Sequence, residues 1–227
     1  MSDAYHLTTS SQSNPELERI IREHGSALTV PAKKIFLADG HDATGVYYIV
    51  SGRTRHYLLG ADGSEKVFFI LTSGWFFEES ACLLSAQPRF HVLAEETTSL
   101  LFIPSGTFEA LLRQSPVFNE AILRNQARMY RMLCRQIESQ SFLSSKDRFL
   151  ELLYHSADTS FAFDGKWYSL KHIYPQQELG AILGVSRVTI SKFVNEFCNE
   201  GVIRIVNRRM QINIEHYNRM EDSFDDQ

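Results

Sequence analysis

Cysteine is scarce in this sequence, and its spacing does not indicate a disulfide framework. The 227 residues include three cysteines, Cys82, Cys134 and Cys198, which are far apart and odd in number. No two of them form the CxxC pair of a structural metal site or a redox site. We therefore expect three buried thiols.

Long apolar runs are absent as well. No stretch approaches the roughly 20 consecutive apolar residues of a membrane-spanning helix. The N-terminus lacks the basic and then apolar pattern of a secretory signal, and residues 1–14 are polar without periodicity. The sequence thus predicts a cytoplasmic protein with no membrane partner, and a disordered N-terminus over residues 1–14.

The motifs of common enzyme classes are also missing. There is no phosphate-binding loop, dinucleotide-binding glycine pattern or Ser/His/Asp arrangement. A metal-dependent cupin enzyme is an alternative from another class, but it needs an HxH pair, and His41, His56 and His91 are too dispersed. Because histidine can bind heme iron, the sequence does not exclude a heme group. We predict that the protein is not an enzyme and has no catalytic or metal-binding residue.

What the sequence does contain is the pattern of a DNA-reading helix-turn-helix over residues 177–203. An i, i+3, i+4 apolar stripe predicts a short first helix that ends at Gly184. Ser186 suits the N-cap of a second helix with its own apolar stripe. The two stripes are Leu179, Ile182 and Leu183, and Ile190, Phe193, Val194 and Phe197.

The outward face of the second helix carries residue types that read and bind DNA. Arg187 can form two parallel hydrogen bonds with guanine, and Val188 can contact a thymine methyl group. Side chains with hydroxyl or amine groups can bind DNA phosphates, and these contacts position the protein on the DNA. The predicted DNA contacts are Gln176, Gln177, Ser186, Arg187, Val188, Thr189, Ser191, Lys192, Arg208 and Arg209. A helical hairpin with a charged outer face is the alternative.

A β-hairpin wing is predicted after Gly201, because two alternating segments flank a polar turn at 207–209. Arg208 and Arg209 at its tip can reach a DNA phosphate, although two solvated arginines in a turn would give the same pattern. A C-terminal module that binds protein instead of DNA is a further alternative. The basic residues of the wing and of the second helix argue against it.

Charge is distributed unevenly along the chain. The formal net charge is −4, yet residues 142–216 hold nine basic and eight acidic residues, and the last eleven residues are acidic. A weakly basic DNA-binding half implies that affinity depends on a few placed contacts and on two copies acting together. We therefore expect a dimer.

The first half of the chain has the pattern of a β-roll. Alternating segments at 45–52, 53–59 and 66–71 are separated by glycine turns, and a short helix with a Ser or Thr cap is expected at 107–113. A long helix follows over 116–140, without glycine or interior proline. Its predicted dimer seam is Phe118, Ile122, Met129, Leu133 and Gln136, with Asn125 or Gln126 as a polar interruption.

Arginines on another face of this helix leave two interpretations open. Arg124, Arg128, Arg131 and Arg135 recur at helical spacing. They form either a solvated face or a site for an acidic ligand between helix and roll.

This order of roll, long helix and winged helix-turn-helix resembles the family of the cyclic AMP receptor protein and the fumarate-nitrate reduction regulator over residues 15–216. The run SRVTISK is similar to the corresponding element of the halogenated-phenol-sensing regulators. Arg187 matches the guanine-reading arginine of the cyclic AMP receptors, whereas Val188 replaces their glutamate, which implies a different half-site. The segments that carry the resemblance are VYYIVSGRTRHYLLGADGSEKVFFILTSGWFFEE and QELGAILGVSRVTISKFVNEF.

The resemblance implies an α+β fold and a domain order. An N-terminal double-stranded β-helix, a jelly-roll like a cyclic-nucleotide-binding domain, precedes a long dimerisation helix and a C-terminal winged helix-turn-helix. The predicted boundaries are 1–14 disordered N-terminus, 15–115 effector-sensing roll, 116–141 dimerisation helix, 142–216 DNA-binding domain and 217–227 acidic tail. The implied partners are double-stranded DNA with a two-fold symmetric operator and a second copy, with RNA polymerase as a further candidate.

The expected effector site departs from the cyclic AMP pattern. In the family a Gly-Glu pair contacts the sugar and an Arg-Ser or Arg-Thr pair holds the phosphate, whereas this chain has Glu78-Glu79 and Arg89-Phe90. A buried phosphate beside an extra carboxylate is costly, so cyclic AMP is disfavoured. The predicted effector-binding residues are Glu78, Glu79, Arg89, Phe90, Tyr130, Leu133 and Cys134.

An apolar pocket with Arg89 as its polar group fits an organic or aromatic effector better. The expected lining is Trp75, Phe76, Phe77, Phe90, Tyr130 and Leu133. The alternative is that these aromatics are core and Glu79 and Arg89 form a structural ion pair. The sequence thus predicts a DNA-binding transcription regulator, a homodimer controlled by a small organic effector of unknown identity. A cyclic-nucleotide-responsive regulator is the alternative.

Overall fold

A computed structural model describes residues 14–225, with side chains described as far as residue 220. The predicted disordered N-terminus lies outside the described residues, except for Asn14, which caps the first helix. The described residues form two compact units, 14–134 and 135–225. Each is described by itself below.

The first unit is a β-roll with short flanking helices. The strands predicted at 45–52, 53–59 and 66–71 are confirmed. Its elements are α1 (Pro15–His24), β1 (Ser26–Val30), β2 (Ile35–Leu37), β3 (Gly45–Ser51), β4 (Thr54–Leu59), β5 (Glu65–Leu71), β6 (Phe76–Phe77), α2 (Glu79–Leu84), β7 (His91–Ala94), β8 (Thr98–Pro104) and α3 (Ser105–Gln114).

Two antiparallel sheets build this roll. Their strand orders are β1-β8-β3-β6 and β2-β7-β4-β5. Inward-facing side chains of both sheets are buried together, as expected for strands that alternate between core and surface. Gly52 makes the tight turn after β3 possible, since its φ is 97° and a Cβ there would lie 2.7 Å from the Cα of Thr98. The central buried residues include Ile49, Phe69, Leu71, Trp75, Phe77, Val92 and Leu100.

The helix predicted at 116–140 is confirmed as α4 (Pro116–Phe142), but the predicted dimer seam on it is wrong. Phe118 and Ile122 are buried in the core of the roll, beside Ile103 and Phe108. Met129 and Leu133 also pack against roll residues, and Gln136 is buried. A helix of this length has several faces with helical spacing, and the more apolar face covers the roll.

Two smaller predictions are also wrong. The N-cap of α3 is Pro104, with no side-chain hydrogen bond, instead of a Ser or Thr. Cys134 and Cys198 are exposed and Cys82 is half-buried, so these cysteines are not the buried thiols expected from the sequence.

The second unit is a helix-turn-helix with a small sheet. Its strand order is β11-β12-β10-β9, all antiparallel. The elements after α4 are α5 (Ser145–Ser156), β9 (Ala157–Phe163), β10 (Trp167–Leu170), α6 (Gln176–Leu183), α7 (Arg187–Asn199), β11 (Ile203–Val206), β12 (Arg209–Asn213) and α8 (Ile214–Asp225).

The apolar stripes predicted for α6 and α7 form the core of this unit. Leu179, Ile182, Ile190, Val194 and Phe197 are all buried. The predicted hairpin wing is present as β11 and β12. The segment predicted as an acidic tail begins within α8. No helix in the described part of the chain is long and apolar enough to span a bilayer.

Candidate functional site

The turn between α6 and α7 is held by local backbone chemistry. Gly184 ends α6 in the left-handed region, with a φ of 70°. A Cβ on Gly180 would lie 2.7 Å from the Val185 carbonyl oxygen, so the turn can pack tightly only against glycine. Ser186 caps α7, because the Thr189 backbone N–H donates to its Oγ at 3.1 Å. The cap fixes the direction in which the first turn of α7 presents its side chains.

The two basic side chains on the outward face of α7 have no ion-pair partner among the described residues, whereas Thr189 Oγ1 lies 2.9 Å from Ser186 Oγ. Arg187 and Lys192 are exposed and form no ion pair with any residue that the structure describes. Val188 is 65% exposed, which is high for an apolar side chain in the first turn of a helix. Thr189 and Ser191 are half-buried. The structure therefore brings most of the predicted DNA contacts onto one surface.

The remaining predicted DNA contacts lie on α6 and on the wing. Gln177 is exposed and Gln176 half-buried in the first turn of α6. Arg208 occupies the wing turn with a φ of 63°, and both it and Arg209 are exposed. Arg204 differs from them, because it donates to Gln211 at 2.6 Å and to Asp164 at 2.8 Å. No pattern in the sequence indicated that this third arginine stabilises the hairpin.

A cavity of about 390 Å³ lies in the roll unit beside α4. Its surface combines aromatic and aliphatic side chains with a few polar groups, the usual composition of a small-molecule site. The residues that line it are His56, Phe69, Phe77, Glu78, Glu79, Ser80, Ala81, Leu84, Ala86, Gln87, Pro88, Arg89, Phe90, Gln126, Met129, Tyr130 and Leu133.

Six of the seven predicted effector-binding residues line this cavity, and Cys134 does not. Cys134 is exposed on α4. Two of the expected aromatic lining residues, Trp75 and Phe76, are instead buried in the core. Sequence reasoning missed His56, Phe69, Gln126 and Met129. Helical spacing is the signal that could have identified the last two, since Gln126 and Met129 lie seven and four residues before Leu133.

Glu79 is held by α4 and not by Arg89. Its carboxylate accepts a hydrogen bond from Asn125 Nδ2. The Asn125 side chain also pairs with the Phe76 backbone. Its Oδ1 accepts from the Phe76 N–H at 3.2 Å, and its Nδ2 donates to the Phe76 carbonyl oxygen at 3.1 Å. Asn125 was expected as a polar interruption of a dimer seam, but it is 3% exposed and joins the roll to α4 within the chain. The Glu79–Arg89 ion pair considered from the sequence is absent among the described residues.

Glu78 occupies a glycine-like backbone position. Its φ is 73°, in the left-handed region that costs a non-glycine residue about 1 kcal/mol or more. Its Oε2 lies 3.3 Å from His41 Nε2. His41 Nδ1 donates to the Ala38 carbonyl at 2.7 Å, whereas Glu78 Oε2 is shielded from solvent and has no hydrogen-bond partner among the described residues. Burial raises the pKa of Glu78 to about 7.

Arg89 is the cationic group at the cavity. It is exposed and makes no ion pair within the described residues. His56 is buried and its pKa is lowered to about 3 by burial, so it is neutral, with Nε2 3.0 Å from Thr54 Oγ1. No group of three His, Cys, Asp or Glu side chains in the described range is arranged to hold a metal ion.

The arginine stripe on α4 is partly neutralised. Arg124 Nη2 lies 2.7 Å from Glu120 Oε1, one helical turn earlier. Arg128 lies over the Trp75 ring, 5.8 Å from its centroid. Arg131 is exposed. These contacts do not decide between the two interpretations, because Arg124 and Arg128 also line a cavity of about 560 Å³ between α4 and the roll.

The carboxyl of Glu79 gives the fold a testable pH dependence. Burial is the main cause that raises its pKa from 4.5 to about 7. Because this pKa is higher in the folded state than in the unfolded state, protonated Glu79 stabilises the fold fully when the pH is below the unfolded-state pKa. This stabilisation is lost as the pH rises through about 7. In Glu79→Gln the amide oxygen can still accept the hydrogen bond from Asn125. We expect the unfolding free energy of this variant, relative to that of the wild type, to increase by roughly 3 kcal/mol as the pH rises from about 5 to about 8. Denaturant unfolding across that pH range measures this difference.

The exposed Glu96 provides the control for this measurement. Glu96→Gln should leave the pH profile of the unfolding free energy unchanged. A Glu79→Gln profile parallel to that of the wild type would contradict the assignment of this pH dependence to Glu79.

Comparison with known proteins agrees with both units. The cyclic nucleotide-binding domain model matches residues 27–115, and the Crp-like helix-turn-helix model matches residues 147–223. Together the two matches cover most of the chain. The roll with its cavity and the winged helix-turn-helix are therefore the two domains that these models describe.

Curated relatives and solved structures give the same result. The cyclic AMP receptor protein of Thermus thermophilus is 25% identical over 175 residues, 77% of this chain and 78% of that protein. The c-di-GMP-responsive regulator CLP of Xanthomonas campestris superposes with a TM-score of 0.79 at 18% identity, over 88% of this chain and 99% of CLP. OCPA-complexed CprK gives 0.69 at 17% identity, over 90% and 93%. The chain belongs to the Crp/Fnr family of DNA-binding transcription regulators, which join an effector-binding roll to a helix-turn-helix.

Proposed function

We propose that this regulator is a homodimer that reads a two-fold symmetric DNA site and is controlled by a small organic effector in the roll cavity. One observation carries the proposal. Tyr130 lines the cavity and is also 69% exposed, within a stripe of exposed apolar residues along α4. A single side chain thus belongs both to the effector site and to the surface that we assign to dimerisation.

The stripe on α4 has the spacing of a coiled-coil seam. Its members are separated by four, three, four and three residues, which keeps them facing one partner helix. The exposed fractions of its three large members are 65% for Leu123, 69% for Tyr130 and 64% for Ile137. Such a row is costly in water unless another surface covers it. The full stripe, called the α4 seam below, is Leu123, Ala127, Tyr130, Cys134 and Ile137.

A second copy of the chain is the partner that this seam fits. Two identical helices with this stripe can pair in parallel, with each residue facing its counterpart across the two-fold axis. Pairing of α4 would give the dimer two copies of α7. Paired recognition helices read half-sites one DNA turn apart, about 34 Å.

The chemistry of the α7 surface supports direct base reading. Arg187 is at the first helical position, where an arginine can form two hydrogen bonds with guanine in the major groove. Val188 beside it offers an apolar contact to a thymine methyl group. Thr189, Ser191, Lys192 and the wing arginines would bind phosphates and fix the register. Gln176 and Gln177 are at the N-terminus of α6, where backbone N–H groups also favour phosphate.

The cavity favours an organic acid over cyclic AMP. Glu78 brings a partly buried carboxyl to the cavity, and Phe90 and Leu133 present apolar surface. A buried phosphate diester beside that carboxyl would lose hydration without enough compensating donors. An apolar body with one carboxylate at Arg89 avoids this cost.

A cyclic nucleotide is the second candidate effector, and one observation favours it. Glu79 and Arg89 both line the cavity, at the positions that the family resemblance assigns to sugar and phosphate. Curated relatives are named cyclic AMP receptors. However, the Glu79 carboxylate is already bound by Asn125.

Control of DNA binding would follow from a population shift. An effector that contacts both the roll and Tyr130 changes the relative free energies of two arrangements of the paired α4 helices. Each arrangement gives α7 and its counterpart a different spacing. The effector can shift this equilibrium only by as much as its affinities for the two arrangements differ.

A thermal-shift screen of the purified protein tests the effector assignment. The compounds are cyclic AMP, cyclic GMP, heme and a panel of small aromatic and aliphatic acids, since a ligand that binds only the folded state raises the melting temperature. We expect stabilisation by one or more organic acids, lost in Arg89→Ala and kept in Arg113→Ala, which removes an exposed arginine of α3. Stabilisation by cyclic AMP alone would contradict the proposal and favour the second candidate.

A further inference from the structure

Gln126 is a polar residue of the cavity to which the family resemblance assigns no role, and which the sequence pattern offered only as a polar interruption of a dimer seam. It projects from α4 and lines the cavity. Its Nε2 is shielded from solvent and donates to no acceptor among the described residues. Buried amide donors are nearly always hydrogen-bonded in native proteins, so an unmatched one requires an explanation.

Most other polar groups of the cavity have a protein contact or face solvent. Glu79 accepts from Asn125, Glu78 contacts His41, and His56 lies at hydrogen-bond distance from Thr54. Ser80, Gln87 and Tyr130 are exposed and can bind water. In the described part of the cavity, this leaves Arg89 as an unpaired cation and Gln126 Nε2 as an unpaired, shielded donor, together with Glu78 Oε2 as a shielded oxygen without a hydrogen-bond partner.

Apolar side chains make up much of the rest of the cavity lining. They are Phe69, Phe77, Phe90, Met129 and Leu133. A ligand bound there therefore needs an apolar body with two polar ends, one anionic for Arg89 and one able to accept a hydrogen bond from Gln126. A purely apolar acid would leave the amide donor unmatched.

We propose that Gln126 is an effector-recognition residue and that the effector is an organic acid with a second, hydrogen-bond-accepting group such as a carbonyl. This inference rests on the proposed function, since it specifies the ligand of the same cavity. Arg89 belongs to the roll and Gln126 to α4, so such a ligand joins the two. Tyr130 of the α4 seam follows Gln126 by one helical turn, which connects ligand recognition to dimer pairing.

The first test needs no ligand. In the free protein, Gln126→Leu replaces an unmatched donor by an apolar side chain in an apolar cavity, so the melting temperature should rise by about 2–4 °C. Gln140→Leu is the matched control, because Gln140 is exposed and lies fourteen residues along the same helix, at the same heptad position. It should give no rise. A lower melting temperature for Gln126→Leu would mean that the amide already has a partner, and would overturn the proposal.

The second test compares two acids of the same shape by titration calorimetry. The probes are para-acetylbenzoate, which has a carbonyl acceptor, and para-isopropylbenzoate, which has none. We expect the wild type to bind the acetyl compound about tenfold more tightly. Gln126→Leu should abolish this preference, while Arg89→Ala weakens both compounds alike.

Each result separates this inference from the proposed function. Equal binding of the two probes by the wild type, a preference retained in Gln126→Leu, or binding of neither probe at millimolar concentration would overturn the inference. If other organic acids still stabilise the protein through Arg89, the proposed function survives that failure. If the chain proves monomeric or indifferent to DNA sequence while the probe preference depends on Gln126, the proposed function fails and the inference stands.

Discussion

Arg187→Ala is expected to reduce DNA sequence discrimination by about five- to 150-fold. Discrimination here is the ratio of the affinity for the preferred DNA site to the affinity for a site in which its guanine is replaced. The reason is the loss of a bidentate pair with guanine, which contributes about 1–3 kcal/mol of discrimination. The Ser186 cap and the Gly184 turn lie outside the change, so α7 should keep its direction. Binding measurements on matched duplexes, at one fixed salt concentration, give the ratio directly.

Arg208→Ala is the matched comparison for this prediction. Arg208 is exposed in the wing turn and is assigned to a phosphate. Its removal should weaken all sequences alike and reduce the dependence of log affinity on log salt by about one. If Arg187→Ala weakened all duplexes equally, or if Arg208→Ala changed base preference, the assigned roles of the two arginines would be wrong.

Leu123→Glu combined with Ile137→Glu is expected to convert the dimer to a monomer and to reduce affinity for a two-fold site by about 100-fold or more. Both residues lie on the α4 seam and are about two-thirds exposed in the single chain. Facing glutamates would bring like charges together across the two-fold axis. Losing the linked second half-site removes the gain from bivalent binding, which is about 10²–10⁴. Sedimentation equilibrium and a gel shift measure the two effects.

Leu59→Glu controls for the introduction of charge on an exposed leucine. Leu59 is 51% exposed at the end of β4. This variant should remain dimeric with unchanged DNA affinity. A dimeric double variant at the α4 seam would contradict the assigned interface.

Local sequence signals predicted the second unit well. Ser186, Gly184 and the apolar stripes each act within a few residues, so their consequences can be read without knowing the rest of the fold. The glycine turns and alternating strands of the roll are equally local. The wing followed from alternation on either side of a polar turn.

The face of α4 could not be predicted in the same way. Phe118 and Ile122 have helical spacing, and so do Leu123, Tyr130 and Ile137. Spacing identifies apolar stripes but does not say which one covers the roll, since that depends on the shape of a core built by distant strands. Asn125 was misassigned for the same reason, because its partners are Phe76 and Glu79 in the roll.

The cavity was predicted in composition but not in its detailed contacts. Departures at Glu78 and Phe90 from the cyclic AMP pattern were visible in the sequence. The left-handed backbone of Glu78, its contact with His41 and the unmatched amide of Gln126 were not. These features depend on which side chains from three separate segments meet, and no local pattern records that.

Selection of bound sequences from a random DNA pool by the purified protein shows whether it reads DNA as a two-fold symmetric dimer. We expect an enriched inverted repeat whose two half-sites are centred about one helical turn, 34 Å, apart, with a guanine in each half. Its occupancy should change when an organic acid that binds the cavity is added. Enrichment of a single unrepeated half-site, or of no sequence at all, would contradict the account.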